Sequence, residues 1–330
     1  MNGIAVILPV YNGECLLESS VRSVFDAGKR IQEIIIVDDG SSDGTLEKAQ
    51  RLAEMDARVR VIHTENEGCY AARRTGIDAS KSPYIAFIDA DDRYASGALD
   101  MLADLLEAHD ADVAAGGIAR TTSLSENAPA CVPVSGEKVY TPDEMWRRIM
   151  RWGTQEFVGY VWNRLYRRET LCDLLEEHGI CQGDDVLITC QVFLKAKKTV
   201  ETTATVYQYY QNQGSLMHAD FGRHDLELIR VWDHICDMMT GQKDILRYMA
   251  QVNRWRTDFT LICRLILADD RNADRRYAED LRQWRSSLAV HWRDLVKNLP
   301  LSRRALVIAL RFGYRPTKLL MRLGKRILGR

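Results

Sequence analysis

Residues 84–92 read Tyr84-Ile85-Ala86-Phe87-Ile88-Asp89-Ala90-Asp91-Asp92, an apolar, β-prone run that ends in three carboxylates within four positions. The run has the length and composition of a buried strand. Its end forces Asp89, Asp91 and Asp92 to share one small region of space. Like charges this close repel, and a divalent cation is the usual way to offset them. Alone, the same letters also describe a strand followed by a solvated acidic turn. A second apolar run, Glu33-Ile34-Ile35-Ile36-Val37-Asp38, ends in Asp38-Asp39-Gly40-Ser41-Ser42-Asp43-Gly44. Two strands that deliver carboxylates from their C-terminal ends are how an open α/β sheet builds a ligand crevice.

Outward from these two strands the first 120 residues alternate. The patterns predict strands at Ile4–Leu8, Ile34–Val37, Val59–Ile62, Tyr84–Ile88 and, more weakly patterned, Val113–Ala115. Helical spacing falls between them: Leu16, Leu17, Val21, Val24 and Phe25, then Thr45–Met55, Tyr70–Ile77 and Ala98–His109. That alternation argues for an α/β fold with a mostly parallel central sheet flanked by helices. Residues 121–139 read as a loop or β-excursion, 143–178 as helical with a strand-like break near Phe157–Trp162, and 199–210 as β. From about Leu226 the pattern is helical throughout, so the chain divides near residue 222. The expected domains are 1–222, with halves 1–120 and 121–222, and an all-α extension, 223–330.

With 330 residues, 46% hydrophobic and 28% charged, the chain has the make-up of a globular protein that can bury a core. Its formal charge of −1 conceals an asymmetry: residues 297–330 carry 10 Lys/Arg and no Asp/Glu, which leaves 35 basic against 46 acidic residues elsewhere. An acidic body argues against nucleic acid as a partner, and a basic tail suggests an anionic surface met at one end. The eight cysteines include no CxxC pair and no zinc spacing, and they fall in apolar or helical patterns as buried thiols do. This suggests a reducing compartment. The chain opens straight into a strand pattern, without the marks of a secretory signal, and no run approaches the roughly 20 apolar residues of a membrane span. The expectation is a cytoplasmic protein, soluble or peripheral.

Three further segments carry chemistry. Pro9-Val10-Tyr11-Asn12-Gly13-Glu14 closes strand one, and its composition also suits an ordinary turn. A functional reading puts Tyr11 at the crevice mouth against a nucleobase. The Asp38–Thr45 segment lacks the GxxxxGK pattern of a phosphate loop. Its carboxylates suit neutral donors, such as a base N–H or ribose hydroxyls. Glu65-Asn66-Glu67-Gly68-Cys69-Tyr70-Ala71-Ala72-Arg73-Arg74-Thr75-Gly76 follows strand three; it also suits a loop and a surface helix, and a functional reading has Arg73 facing the nucleotide.

In these orders and spacings the chain resembles glycosyltransferase family 2, whose members have the GT-A fold. Pro9–Asn12, Val37–Ser41 and Asn66–Gly76 match its first three motifs, and Asp89-Ala90-Asp91-Asp92 its DxD motif. Val161-Trp162-Asn163-Arg164-Leu165-Tyr166-Arg167-Arg168 resembles its VWNKLYRR segment. Gly183-Asp184-Asp185 falls at its Glu-Asp pair, and Tyr209-Tyr210 through Gly214-Ser215-Leu216-Met217-His218 at its YY…GSxMH ending. The resemblance covers residues 4–218. It implies an inverting transferase that uses a nucleotide-sugar, usually linked to uridine diphosphate, together with Mg²⁺ or Mn²⁺. Asp39 would bond the base beside Pro9, Tyr11 and Arg73. Asp89 would contact the ribose or a metal-bound water, Asp91 the metal, and His218 the metal or pyrophosphate. Asp185 would be the catalytic base with Asp184 its neighbour, and Trp162 a candidate acceptor contact.

Two positions depart from the family pattern: Asp184 stands where Glu is usual, and Arg74 where Asn is frequent. Two other readings of the acid pairs are a nucleotidyltransferase and a non-catalytic nucleotide- or glycan-binding relative. The first lacks an N-terminal glycine-rich triphosphate loop, and the second sits poorly with a full set of acids. Family members commonly build bacterial surface glycans, so the expected acceptor is a glycan or a lipid-linked one. A helix from Thr317 would align Leu320, Leu323 and Ile327 on one face, with Lys318, Arg322, Lys325 and Arg326 on the other and Leu310 and Phe312 just before. Such a basic amphipathic helix suits the inner face of an anionic membrane, and its pattern also suits a helix docked on the catalytic domain or on a partner.

Overall fold

Strand β1 (Ile4–Val10) is buried along its whole length, and β2 (Ile31–Asp39), rich in isoleucine, is buried from Ile34 to Asp39. β-Branched chains fit a pleated surface covered on both faces. The computed structural model of the chain describes residues 2–123, 131, 136–154, 156–211, 220–270 and 272–328, with side chains as far as residue 325. Parallel pairing joins β1 to β2, β2 to β3 (Val59–Thr64) and β1 to β4 (Tyr84–Phe87). Helices α1 (Leu17–Ala27), α2 (Thr45–Met55) and α3 (Cys69–Ala79) connect these strands. The register sets Ile7 beside Phe87 and Val10 beside Asp38, so the strand ends that bear the acids emerge together.

Beyond β4 the sheet becomes mixed. The two-residue β5 (Arg93–Tyr94) and helix α4 (Ala98–Ala108) come next in the chain. They are followed by β6 (Val113–Thr121), β7 (Glu137–Tyr140), α5 (Pro142–Ile149), β8 (Arg164–Arg167), α6 (Asp184–Lys195) and β9 (Thr199–Tyr210). The strand order is β3-β2-β1-β4-β8-β6-β9-β5, with β7 paired to β9. β8 runs antiparallel to both β4 and β6, while β6 and β9 are parallel. The strand expected near 157–162 therefore lies at Arg164–Arg167, and no helix covers 172–178. Of the eight cysteines, all of them free, only Cys190 is buried and Cys15 is exposed, so the expectation of generally buried thiols is too broad.

The chain forms two compact units, Met1–Trp146 with Gly159–Ser215, and Arg147–Val158 with Leu216–Arg330. The second consists mainly of helices α7 (Arg223–Met238), α8 (Asp244–Leu267), α9 (Ala273–Arg276), α10 (Ala278–Lys297), α11 (Leu301–Phe312) and α12 (Tyr314–Leu328). Its core gathers Phe259, Ile262, Leu265, Trp284, Leu288 and Val307. Three basic side chains of α12 are engaged within the helical unit. Lys318 pairs with Asp274, Arg322 donates to the Ile266 carbonyl at 2.8 Å, and Lys325 donates to the Leu267 carbonyl at 2.8 Å and pairs with Asp269 at 2.6 Å. The cause is the end of α8, whose last carbonyls lack helical partners and attract cations. Leu310 is buried, whereas Leu319, Leu320, Leu323 and Phe312 stay exposed. The side chains of Arg326 and Ile327 lie outside the described residues. Among the described residues no helix is long and apolar enough to cross a membrane.

Candidate active site

The loops after β1 and β2 are braced against each other. Asn12, at φ 50°, donates its backbone N–H to Ser41 Oγ at 2.9 Å and accepts from the Ser42 N–H through Oδ1 at 2.8 Å. Gly13 N–H donates to Thr45 Oγ1 at 2.9 Å. This bracing holds Pro9 at the buried end of β1 and leaves Tyr11 54% exposed beyond it. Sequence reasoning missed the part played by Asn12, which reads only as a turn former.

Asp39 is 4% exposed and accepts backbone N–H bonds from Glu67 at 2.8 Å and Gly68 at 2.9 Å. Two amide donors fix its direction. Gly40 must be glycine here: its φ is +72°, and a Cβ would stand 2.8 Å from the backbone nitrogen of Asn66. Asp38, fully buried, meets His63 Nδ1 at 2.6 Å, a partnership no spacing rule signals.

Arg73 is turned into the protein. On the buried face of α3 it is 2% exposed; its Nη2 donates to Asp89 Oδ1 at 2.6 Å, and its Nη1 pairs with Asp185 at 3.2 Å and with Asp184. One guanidinium thus joins the acid-rich turn after β4 to the first turn of α6. Burial pulls the Arg73 pKa down, but Cys69, Asp89 and Asp185 outweigh it and the net shift is well upward. Gly76 allows this depth, because a Cβ at that position would sit 2.3 Å from Cγ2 of Ile7 on β1. The α6 end is fixed to α3 by the Tyr70 N–H on the Ile180 carbonyl at 3.1 Å and by Gln191 Nε2 on Tyr70 Oη at 2.9 Å.

Asp184 and Asp185 open α6, where acids complement the helix dipole. Asp184 is buried, whereas the Asp185 side chain keeps 23% of its surface exposed. Burial, opposed by Arg73, raises the Asp185 carboxyl to about 6. Across the guanidinium, the Asp89 N–H donates to Tyr207 Oη at 3.1 Å. Asp91, partly exposed, is raised to about 6 by burial and then by Asp89. Asp92 is fully buried and is pushed up by burial, Asp89 and Asp91; its Oδ1 accepts from the Tyr210 N–H at 2.8 Å. Its Oδ2 is buried with no hydrogen-bond partner among the described residues.

No three His, Cys, Asp or Glu side chains among the described residues gather closely enough to hold a metal alone. The donor set nevertheless fits a hard divalent cation: all oxygen, crowded, and short of positive charge at Asp91 and Asp92. Mg²⁺ in particular is commonly held by one or two carboxylates, with substrate phosphates and water completing the shell. His218 lies outside the described residues. Trp162 is 4% exposed, inside an aromatic stack with Tyr207 at 4.4 Å, Tyr160 at 4.7 Å and Tyr209 at 5.7 Å. The partly exposed members are Tyr160, which the sequence reading did not single out, and Tyr209, quoted there only within a motif.

Residues 5–175 match the family model for glycosyl transferase family 2, and the chain belongs to that family. It is 32% identical over 217 residues to the uncharacterized glycosyltransferase EpsJ of Bacillus subtilis (strain 168), spanning 64% of this chain and 62% of EpsJ. To the glycosyltransferase GlyA of Streptococcus pneumoniae serotype 4 (strain ATCC BAA-334 / TIGR4) it is 30% identical over 222 residues, 64% of this chain and 31% of GlyA. The match thus spans under two-thirds of each of these relatives. Its fold resembles the crystal structure of S. aureus TarS 1-349 in complex with UDP-GlcNAc, with a TM-score of 0.67 and 16% identity, over 98% of this chain and 91% of that one. The fold is of the GT-A type.

Proposed function

We propose that the protein is an inverting, metal-dependent transferase that moves a hexosyl or N-acetylhexosaminyl group from a uridine-diphosphate sugar to an acceptor hydroxyl in bacterial cell-surface glycan synthesis. The observation that carries this is the partly exposed Asp185, raised to about 6 and tied through Arg73 to Asp89 of the acid turn. A base of that pKa is ionised at neutral pH and still able to take a proton. The UDP-GlcNAc bound by TarS supports the choice of donor.

In this reading Asp39 bonds the base, with Pro9 and Tyr11 against its face, and Asp89 serves the ribose. Asp91 and, beyond the described residues, His218 would hold Mg²⁺ or Mn²⁺. When bound, the ion supplies Lewis-acid stabilisation of the departing diphosphate. Asp185 removes the acceptor proton from the opposite side of the sugar, so one displacement inverts the anomeric carbon. Asp184 and Arg73 hold Asp185 in place. Trp162 acts as the rigid backing of the acceptor wall, with Tyr160 and Tyr209 at its surface. The catalytic work falls to residues 1–222, with the donor served by 1–120 and the acceptor by 121–222, and 223–330 forms a helical extension. A panel of nucleotide-sugars, each tested for release of nucleoside diphosphate with Mg²⁺ or Mn²⁺, is the direct test. Release from none of them would sink the reading.

A lipid-linked glycan acceptor fits a chain held at the inner face of the membrane. The support is the exposed apolar set Phe312, Leu319, Leu320 and Leu323 on α11 and α12. With Lys318, Arg322 and Lys325 engaged internally, the attachment is mainly apolar.

A further inference from the structure

Asp39 and the helix that carries Asp185 are joined by a short run of backbone contacts that passes through Gly68. The loop before α3 grips Asp39 with the Glu67 N–H on Oδ1 at 2.8 Å and the Gly68 N–H on Oδ2 at 2.9 Å. The same two residues also hold the segment that leads into α6. The Glu67 carbonyl accepts from the Gly179 N–H at 2.5 Å. Gly68, at φ +92°, lies so close to Ile180 that a Cβ would stand 2.9 Å from its nitrogen and 3.0 Å from its oxygen. Just beyond Ile180 the chain enters α6, which opens with the Leu187 N–H on the Gly183 carbonyl at 3.1 Å.

Gly68 also sets the other side of the buried ion pair. Its carbonyl accepts from the Ala72 N–H at 3.1 Å at the start of α3, and Arg73 is the next residue. The lead-in to α6 has little slack, because it is clamped at a second point. The Leu175 carbonyl accepts from Tyr70 Oη at 3.0 Å, and the Leu175 N–H donates to Oε1 of Gln191 on α6 at 2.7 Å. Arg73 and Asp185, 3.2 Å apart, are thus both placed by the loop that grips Asp39. Close-packed segments of this kind transmit a displacement rather than absorb it.

We infer that Gly68 is a positioning residue that couples the placement of Asp39 to that of Asp185. The inference rests on the roles proposed above for these two acids. It adds that whatever Asp39 meets alters the setting of the catalytic carboxylate, so a wrong nucleobase costs rate as well as affinity. Misplacing a reacting group by about 1 Å can cost about 10²-fold in rate.

The test is amide hydrogen exchange on the full chain without nucleotide. Asp39→Asn keeps the shape of the side chain but has one acceptor oxygen, so its NH₂ would oppose the N–H of Glu67 or Gly68. Exchange at the Leu187 N–H of α6 is expected to quicken about tenfold, the equivalent of one hydrogen bond. The Met101 N–H, which makes the opening bond of α4, serves as the control that stays unchanged. Gly68→Ala should act in the same way by pressing on Ile180; where the strain at its φ prevents folding, Asp39→Asn carries the test. In donor kinetics Asp39→Asn should raise KM and also lower kcat at saturating donor about tenfold, the mark of an effect on the transition state. A raised KM with unchanged kcat would leave Asp39 a base contact only and overturn the inference, as would unchanged exchange at Leu187. Faster exchange at Leu187 with no nucleoside diphosphate released from any donor would uphold the coupling and remove the proposed reaction.

Discussion

The Arg73 guanidinium lies 3.2 Å from Asp185, and it is the same group that holds Asp89 at 2.6 Å. The acid turn after β4 and the first turn of α6, the donor side and the base side in the proposed function, are therefore coupled through one buried cation. Arg73→Met would leave Asp184 and Asp185 without their partner, and breaking a buried ion pair costs about 3–5 kcal/mol. A lowered melting temperature and a large loss of kcat are expected together. Arg73→Lys retains the charge but lacks the fork, so it should recover part of the stability and little of the rate. A Lys variant with normal kcat would show that the fork does not matter.

Asp185→Asn should lower kcat by about 10²- to 10⁴-fold, the usual contribution of a general base. Affinity for the donor should change little, because the lost interaction belongs to the transition state. Asp184→Asn, at a buried position beside Arg73, should act mainly on thermal stability. A reversal of the two phenotypes would move the base to Asp184.

The pH dependence follows from the carboxyl that burial raises to about 6 at Asp185. A protonated carboxyl cannot accept the acceptor proton, so kcat should be level above that value. Below it, kcat should fall about tenfold per pH unit. A profile that stays level on the acid side would exclude Asp185 as the titrating base.

Asp91→Asn should abolish turnover and weaken nucleotide binding in the presence of Mg²⁺ or Mn²⁺, with little effect in chelator. Nucleotide titrations with and without the ion measure this. Full activity of the unaltered protein in excess chelator would contradict the metal requirement.

Binding to phosphatidylglycerol vesicles should depend on Phe312 and Leu320 and persist in high salt, since screening acts on charges and not on apolar contact. The double variant Phe312→Ser, Leu320→Ser should stay in the supernatant on co-sedimentation. Both side chains are exposed, at 80% and 69%, so the fold should tolerate the change. Binding that vanishes with salt would return the role to the basic residues.

The acid-bearing strands were legible because each is one continuous apolar run ending abruptly in carboxylates. Their neighbours were not. β5 is two residues long and exists only by pairing with β9, which no local pattern encodes. β8 was placed several residues early because Phe157–Trp162 is richer in aromatic residues than Arg164–Arg167, where two arginines mask the pattern. At the candidate site, the strand-end acids Asp39, Asp89 and Asp91 were visible by type and spacing, while Asp185 was singled out only through the resemblance to the family. The inward turn of Arg73 was not legible, since it depends on α6 arriving from more than a hundred residues away. The internal partners of α12 were hidden for a related reason: a basic side chain meets any negative end within reach, and the carbonyl end of α8 is brought there by tertiary folding.

Gly76 has no side-chain chemistry, yet it sets how far a charge three residues away can sink. The clearance of α3 over Ile7 is the thickness of a missing methyl group, and Arg73 is on the same stretch of helix. Adding that methyl in Gly76→Ala would force the helix outward, at about 1–3 kcal/mol of overpacking. The guanidinium would rise with it, away from carboxylates whose positions are set by other elements. In the proposed function, activity is in that sense calibrated by a spacer, and a variant with every reactive group intact can still be a poor catalyst.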